Sequence, residues 1–220
     1  MPTSRAVDAV AKALNIPCYE TPTGWRFFCN LLEAGRIGFC GEESFGTSSH
    51  HAREKDGLWA VLAWLNLLAL KKKSVAEIMQ AHWQQFGRHY YQRHDYENLD
   101  TGIANQIMDG LRSRLAGVMG EERSGHRVTI ADEFSYRDPV DGSASHAQGI
   151  RIVMGDAARI VVRLSGTGTQ GATLRVYLER YESRNLNMRP EDALAGLAEA
   201  SHELLDIEAL AHRTAADLVT

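Results

Sequence analysis

Cysteine and proline are scarce in this sequence, and it has no apolar run long enough to span a membrane. Three of its 220 residues are Cys and five are Pro. The thiols Cys18, Cys29 and Cys40 fit no zinc-site spacing and cannot all pair, so we expect reduced thiols, as in a cytoplasmic protein. The longest apolar run, residues 58–70 with one Asn, is shorter than the about 20 residues that a membrane helix needs. No signal peptide is predicted either.

An excess of positive charge is also absent. The chain has 24 Lys and Arg against 28 Asp and Glu, a net charge of −4, which argues against a general nucleic-acid binder. Apolar residues make up 44% and charged residues 24%, as in an ordinary soluble globular protein. The composition therefore excludes disordered, collagen-like and coiled-coil chains, and the length allows one large or two small domains.

Residues 1–86 alternate between helical and strand-like patterns. Helices are predicted over residues 3–14, 25–32 and 55–72 and after Ser74, where Glu77 completes a capping box; strands are predicted over 16–20 and 37–40. The helix over 55–72 is apolar on all sides, which predicts that it is buried. This alternation indicates an α/β domain.

Residues 87–220 have a different character. A polar stretch over 87–100 predicts a junction. After it we expect a helix over 103–115, strands over 127–132, 134–137, 149–154, 159–164 and 174–180, and a last helix from Pro190 to about His212. Strands followed by a helix favour an α+β domain, here an antiparallel sheet with helices.

The strongest chemical feature lies at residues 163–175. Gly166, Gly168 and Gly171 match G-x-G-x-x-G, but a dinucleotide fingerprint needs a helix after the glycines. Residues 174–178 instead alternate as in a strand. No Lys follows Gly171 as in a Walker A loop, and the other motifs of protein kinases are missing.

A hairpin built from glycines and hydroxyls remains, and it suits an anion. Glycines allow several backbone N–H groups to point into one concavity. Ser165, Thr167 and Thr169 add hydroxyl donors, and Arg163 and Arg175 flank the loop. Guanidinium groups bind phosphate oxygens in bidentate fashion, so a phosphate site is predicted. A flexible hairpin with surface arginines is the alternative.

Three stretches resemble the phosphoglucomutases of the α-D-phosphohexomutase superfamily. They are residues 19–28, residues 40–47 continuing through 53–61, and residues 163–175. The similarity extends over nearly the whole chain and implies the C-terminal part of a four-domain protein. Residues 1–86 would then be a truncated α/β domain, the end of the third domain, with a sugar-binding loop. Residues 87–220 would be the fourth, an α+β phosphate-binding domain.

The resemblance also implies a substrate class and site residues. Family enzymes interconvert glucose 1-phosphate and glucose 6-phosphate through glucose 1,6-bisphosphate. The positions that match the family's sugar contacts are Thr23, Glu42, Ser44 and Lys55, and those that match its phosphate loop are Arg163, Ser165, Thr167, Thr169 and Arg175. A carboxylate and a hydroxyl suit sugar hydroxyls, which need acceptors as well as donors. The alternative, from the residues alone, is that Glu42 and Glu43 are simply solvated loop acids.

Two family motifs are missing from this sequence. The family's phosphoserine lies in a Thr-Ala-Ser-His motif and its Mg²⁺ site in an Asp-Gly-Asp-Gly-Asp loop, and neither occurs here. We therefore predict no catalytic residue and no metal ligand in this chain, although Mg²⁺ is expected for the complete family enzyme. The chain is expected to be inactive alone. It is alternatively a stand-alone phosphosugar or anion-binding module, or one subunit of a split mutase that pairs with an N-terminal half.

Overall fold

A computed structural model describes residues 1–44, 46–168 and 171–220, and for residues 167 and 168 it describes the backbone alone. The described chain forms two compact units. Unit 1 comprises Met1–Arg88 and Tyr136–Ser145, and unit 2 comprises His89–Ser135 and His146–Thr220. The sequence predicts a division after residue 86. In the structure, residues 136–145 also belong to the first unit.

The elements up to residue 118 are α1 (Ala6–Leu14), α2 (Trp25–Glu33), β1 (Phe39–Gly41), β2 (Thr47–Ser49), α3 (Gly57–Lys71), α4 (Val75–Phe86), β3 (Arg88–Leu99) and α5 (Thr101–Val118). Those that follow are β4 (Glu122–Arg123), β5 (His126–Arg127), β6 (Ile130–Glu133), β7 (Tyr136–Arg137), β8 (Ala144–Ser145), β9 (Ile150–Met154), β10 (Ala158–Gly168), β11 (Gly171–Glu182), α6 (Pro190–Leu205), α7 (Ile207–Ala211) and β12 (Leu218–Val219). The predicted class, an α/β part followed by an α+β part with an antiparallel sheet, is confirmed.

Side-chain caps fix the starts of two helices in unit 1. The Asp56 carboxylate accepts a hydrogen bond from the Trp59 amide at 2.9 Å, and α3 begins there. Ser74 and Glu77 form the predicted capping box of α4, each side chain bonding to the other residue's backbone. Such caps satisfy amide groups that would otherwise lack partners at a helix N-terminus.

The prediction that the apolar helix α3 is buried is wrong. None of its residues is buried, and Leu58 and Leu70 are 79% and 80% exposed. The apolar pattern marks a helix suited to a covered position. Among the described elements β2 contacts α3, but most of the helix's leucines stay exposed. The pattern therefore predicts the helix correctly but not the exposure of its apolar residues.

The strand predicted over residues 16–20 is absent as a paired strand. Among the described residues of unit 1 that precede β7, the only paired strands are β1 and β2. Residues 16–22 form neither helix nor turn. A strand needs a partner for its backbone groups, and this segment has none among the described strands.

A six-stranded sheet dominates unit 2, in the order β12-β3-β11-β10-β9-β6. The pairs β10–β11, β10–β9, β6–β9 and β12–β3 are antiparallel. The junction predicted over residues 87–100 is wrong, because Arg88–Leu99 is a strand. Its buried residues are few and irregularly spaced among polar ones: Tyr90, Asp95, Tyr96 and Leu99 are buried, so the sequence shows no clear period of two.

The core of unit 2 lies between this sheet and the helices α5 and α6. Leu174, Val176 and Leu178 alternate along β11 and are fully buried, as the period of a strand requires. They join a cluster with Ile107 of α5 and Leu194 of α6.

The last helix was predicted as one piece, but it breaks at Asp206. This residue lies between α6 and α7 and has a φ of +47°.

The small hairpin of β7 and β8 packs on α2 within unit 1. The rings of Phe27 and Tyr136 meet edge to face with centroids 5.5 Å apart. The Asn30 amide donates to the carboxylates of Asp138 and Asp141 at 3.1 and 3.2 Å.

No helix among the described residues is both long and apolar enough to cross a membrane.

Candidate functional site

A loop at the end of β1 places Glu42 at the centre of a polar cluster in unit 1. The Glu42 amide donates to the Gly46 carbonyl at 2.7 Å and closes the loop. The Glu42 side chain is only 9% exposed. Its Oε1 accepts a hydrogen bond from the Gly24 amide at 3.1 Å, and its Oε2 lies 2.5 Å from Lys55 Nζ. Glu42 is therefore held from two sides, which a solvated loop acid would not be.

Ser44 and Lys55 complete this cluster. Ser44 Oγ donates to Glu42 Oε2 at 3.3 Å, and Lys55 Nζ donates to Ser44 Oγ at 3.3 Å. The Lys55 side chain passes over Gly46, where an added Cβ would lie 2.5 Å from Lys55 Cδ. A larger residue at position 46 would displace the lysine. Three of the four residues that match the family's sugar contacts thus lie together.

Thr23 lies beside this cluster in the chain without joining it. Its side chain is exposed, and no hydrogen bond within the described residues connects it to Glu42, Ser44 or Lys55. The next residue, Gly24, makes the connection through its amide. Gly24 has φ +133°, a conformation that favours glycine.

Sequence reasoning missed two contributors, the Gly24 amide and Trp25. Lys55 Nζ lies 5.9 Å from the centroid of the Trp25 ring, at the outer limit of a cation–π contact. That ring also packs edge-on against Phe28, with centroids 5.1 Å apart. The glycine and tryptophan directly after Thr23 were the available signal, but no residue pattern assigns a backbone amide to a carboxylate 18 positions away.

The second candidate site is the β10–β11 hairpin of unit 2. Arg163 lies directly opposite Arg175, Leu164 opposite Leu174, and Ser165 opposite Thr173. The hairpin expected from the sequence is therefore present, with both arginines on the face away from the buried Leu174. Arg163, Ser165 and Arg175 are all half-buried.

Two glycines shape the tip of this hairpin. The pairing register shifts between Ser165 and Gly168, and Gly166 has φ +69°. Gly171 has φ +98°, and a Cβ added there would lie 3.0 Å from the Leu99 carbonyl oxygen. These are positions at which a side chain would be strained. The predicted phosphate contact Thr169 lies outside the described residues, as does the side chain of Thr167.

A buried carboxylate orients Arg175. Asp95 is 2% exposed and accepts a hydrogen bond from Arg93 Nε at 2.9 Å, and its other oxygen lies 3.6 Å from Arg175 Nε. Arg175 Nε is itself buried without a hydrogen-bond partner among the described residues. No ion pair within those residues involves Arg163. The hairpin face therefore carries positive charge that Asp95 offsets only in part.

Metal binding is not supported by the donor groups present. Across residues 1–44, 46–168 and 171–220, no three His, Cys, Asp or Glu side chains form a group that could hold a metal ion. The described residues thus offer no fit for the Mg²⁺ that the family resemblance implies for a complete enzyme, and no chemical step is derived through it.

Comparison with known proteins agrees over the whole chain. Residues 88–217 match the family model for the C-terminal domain of phosphoglucomutase-1. Residues 1–86 match the model for alpha/beta/alpha domain III of phosphoglucomutase/phosphomannomutase. The chain is 53% identical over 211 residues to the phosphoglucomutase of Rhizobium radiobacter and 50% identical over 238 residues to the cytoplasmic phosphoglucomutase 1 of Zea mays.

A solved structure gives the same result. The exocytosis-sensitive phosphoprotein parafusin from Paramecium, named as a phosphoglucomutase, superimposes with a TM-score of 0.92 at 47% identity and over 100% of this chain. The match covers 39% of that chain, 39% of the Rhizobium protein and 41% of the maize protein. The chain therefore spans about two fifths of the length of the relatives it matches.

Proposed function

The chain belongs to the phosphoglucomutase family, as the C-terminal part of such a protein, and from this premise we propose that it supplies the substrate-binding half of a phosphoglucomutase. The reaction of the whole enzyme is the interconversion of glucose 1-phosphate and glucose 6-phosphate through glucose 1,6-bisphosphate. These three sugar phosphates are the proposed ligands. Relatives from maize and pea are named as cytoplasmic, and the same location is proposed here.

The observation that carries the proposal is the facing pair Arg163 and Arg175 on the β10–β11 hairpin. Two guanidinium groups at opposite positions of neighbouring strands repel each other unless an anion lies between them. Phosphate oxygens accept bidentate hydrogen bonds from guanidinium groups. Ser165 adds a hydroxyl at the next position along β10. Thr167 and Thr169 are proposed as further phosphate contacts from their position in the same loop.

The Glu42 cluster is proposed to recognise the sugar. Glu42 offers carboxylate oxygens as acceptors, while Ser44 and Lys55 offer donors. These groups already bond to one another at 2.5 to 3.3 Å, so a sugar would exchange these bonds for bonds to its own hydroxyls. Thr23 is proposed to join the contacts once the sugar is bound, because it precedes the amide that holds Glu42.

Catalysis is not proposed for this chain alone. Phosphoryl transfer depends on positioning and electrostatics together with a phosphoryl donor and a metal, and the sequence contains neither the Thr-Ala-Ser-His nor the Asp-Gly-Asp-Gly-Asp motif. The purified chain, incubated with glucose 1-phosphate, glucose 1,6-bisphosphate and Mg²⁺, is expected to form no glucose 6-phosphate. Sustained Mg²⁺-dependent turnover would contradict this.

A second candidate is a stand-alone anion-binding module. One observation favours it: Arg163, Ser165 and Arg175 all belong to unit 2, so this hairpin needs no residue of unit 1. A module of this kind would bind inorganic phosphate as tightly as glucose 1-phosphate. The substrate-binding half of a mutase would prefer the sugar phosphate.

Hydrogen–deuterium exchange with and without glucose 1-phosphate tests which candidate is correct. If the chain recognises both parts of the ligand, exchange slows in peptides covering residues 41–47 and in peptides covering residues 163–175. Protection of the hairpin alone would favour the anion-binding module. Unchanged exchange in both loops at saturating ligand would reject both candidates.

A further inference from the structure

The short strand β12 lies at the edge of the unit 2 sheet and pairs with β3. The backbone of Arg93 bonds in both directions to Thr220, with N···O distances of 2.8 and 3.0 Å. The Asp95 carbonyl accepts a hydrogen bond from the Asp217 amide at 2.9 Å. The segment from 217 to 220 therefore holds two alternate residues of β3, whose side chains share one face of the sheet.

The side chains of these two residues meet Arg175 on that face. Arg93 Nε donates to Asp95 Oδ1 at 2.9 Å, and Asp95 Oδ2 lies 3.6 Å from Arg175 Nε. Arg175 belongs to β11, the neighbour of β3 on the side opposite to β12. A displacement of the β3 backbone at residues 93–95 would therefore change the distance between the Asp95 carboxylate and Arg175.

Hydrogen bonds hold β12 in place more than apolar packing does. The strand has two residues, Leu218 and Val219, and both are exposed. The Asp217 carboxylate adds two bonds: it accepts from the Glu97 amide at 2.8 Å and from Arg213 Nη1 at 3.0 Å. An edge segment with so little buried apolar surface opens at a lower free energy than the core does.

Opening of β12 would alter the surroundings of Arg175. The backbone groups of Arg93 and Asp95 that now bond to residues 217 and 220 would have to find other partners, and the Asp95 carboxylate would lose its fixed place. Arg175 Nε is buried without a hydrogen-bond partner among the described residues, so the nearby Asp95 charge is its main constraint. A phosphate that contacts Arg175 would bind the paired state more tightly than the open one.

We propose that Asp217 and strand β12 position Arg175 for phosphate binding, and that they act through Asp95. Asp217 does not touch the phosphate and is a positioning residue. The effect is reciprocal, because a ligand that prefers the paired state also stabilises the pairing of β12 with β3. The proposal rests on the proposed function only in taking the face of Arg163 and Arg175 as the phosphate site.

Calorimetric titration with inorganic phosphate compares Asp217→Ala with Asp192→Ala. Both variants remove one carboxylate from unit 2, but Asp192 lies in the first turn of α6, 4.0 Å from Arg189. Loss of a negative charge favours anion binding, so a weaker affinity cannot be a charge effect. Phosphate affinity is expected to fall about fivefold in Asp217→Ala and not at all in Asp192→Ala. Asp217→Asn keeps an acceptor for the Glu97 amide and should restore the affinity.

Two further measurements follow β12 and Arg175 themselves. Saturating phosphate should slow amide exchange in peptides covering residues 213–220 by about fivefold or more, since the coupling acts equally in both directions. In the ligand-free chain, the NMR signal of the Arg175 Nε–H group, identified by its loss in Arg175→Lys, should shift in Asp217→Ala and stay in place in Asp192→Ala. A purely stabilising role of Asp217 would not move this signal. Circular dichroism checks that each variant is folded.

Three results would each overturn the proposal. They are equal phosphate affinity in Asp217→Ala and Asp192→Ala, unchanged exchange of residues 213–220 at saturating phosphate, and an unmoved Arg175 signal in Asp217→Ala. If phosphate binds but Asp217→Ala has no effect, the positioning proposal is rejected and the proposed function is not. If the unaltered chain binds no phosphate, the proposed function fails, and the Arg175 signal, which needs no ligand, decides the link from β12 to Arg175.

Discussion

Arg163 and Arg175 lie directly opposite each other on adjacent antiparallel strands. Like charges at opposite positions destabilise a strand pair. Asp95, which also binds Arg93, lies 3.6 Å from Arg175 Nε and forms no ion pair with Arg163 among the described residues. An anion bound between the two guanidinium groups would remove this repulsion. The proposed anion site therefore carries a cost to the stability of the free hairpin, as is common where strain is located at binding sites.

The first prediction concerns this pair. Arg163→Ala is expected to weaken glucose 1-phosphate binding by about 1.5 to 3 kcal/mol, the usual contribution of a hydrogen bond to a charged group. Arg163→Lys should lose a smaller part of the binding free energy, because an ammonium group cannot make a bidentate contact. Calorimetry gives the binding constants. The control is Arg189→Ala, which removes a 75% exposed arginine and should leave binding unchanged.

The same variants also have a stability signature. Without ligand, Arg163→Ala should not lower the midpoint of thermal unfolding, since it removes a like-charge contact. A clear loss of stability in Arg163→Ala would mean that the pair is structural and would count against a ligand-binding role.

The second prediction separates sugar from phosphate recognition. Glu42→Gln keeps an oxygen for the Gly24 amide but removes the charge that Lys55 contacts at 2.5 Å. Because Lys55 is 48% exposed, the pair contributes little to stability, about 1 kcal/mol or less. Glucose 1-phosphate affinity should nevertheless fall while inorganic phosphate affinity stays the same. Titration of both ligands measures this.

Glu43→Gln is the matched control for that substitution, because it removes the neighbouring charge of the same loop. Equal losses of glucose 1-phosphate affinity in Glu42→Gln and Glu43→Gln would mean that Glu42 has no specific role in sugar recognition. The same conclusion would follow if Glu42→Gln weakened the binding of glucose 1-phosphate and inorganic phosphate alike.

The third prediction concerns the hairpin tip. Gly166 has φ +69°, and an added Cβ would meet no atom of the described residues within 4 Å, so we expect backbone conformation to limit substitution there. Gly166→Val should reduce the free energy of unfolding by about 1 to 2 kcal/mol, the cost of the left-handed conformation. Gly166→Asn should lose less, since Asn tolerates that conformation. Urea unfolding compares them, and equal losses would refute the backbone explanation.

The fourth prediction is a pH dependence of stability in unit 2. Burial, and then the nearby His202, lower the pKa of His94, whereas Asp95 opposes the shift. The unfolded state therefore takes up a proton before the folded state does. Stability from this group is complete above the ordinary histidine pKa, near 6.5, and falls as the pH drops below it.

Urea unfolding between pH 7.5 and 5.5 checks this shift. The loss of stability on acidification should be smaller in His94→Gln than in the unaltered chain. His146→Gln, a change at an exposed histidine, should preserve the full loss. An identical pH dependence in His94→Gln and the unaltered chain would be evidence against the shift.

The family resemblance, rather than the residue pattern alone, indicated the residues of the Glu42 cluster, and their proximity is explained by their closeness in sequence. Glu42, Ser44 and Lys55 lie within 14 positions, and their cluster follows from one tight loop and one helix start. Arg163 and Arg175, predicted to flank the hairpin loop, lie opposite each other, because strand periodicity determines which side chains share a face. The Gly24 amide was missed because a backbone group carries no residue signature.

The larger errors of fold concern partners that a single segment cannot specify. The apolar pattern of α3 predicts a helix that needs covering, but it does not say whether the covering surface belongs to the same chain. Residues 16–20 likewise have the pattern of a strand, although none of the described strands pairs with them. In β3 the error was local: the buried positions are Tyr90, Asp95, Tyr96 and Leu99, and their irregular spacing among polar residues shows no clear period of two.

Calorimetric titration of the purified chain with glucose 1-phosphate, inorganic phosphate and glucose tests the central claim most directly. If this chain is the substrate-binding half of a phosphoglucomutase, glucose 1-phosphate binds at least tenfold more tightly than either phosphate or glucose. That ratio corresponds to about 1.4 kcal/mol. Equal affinities for glucose 1-phosphate and inorganic phosphate, or no binding of any of the three, would contradict the account.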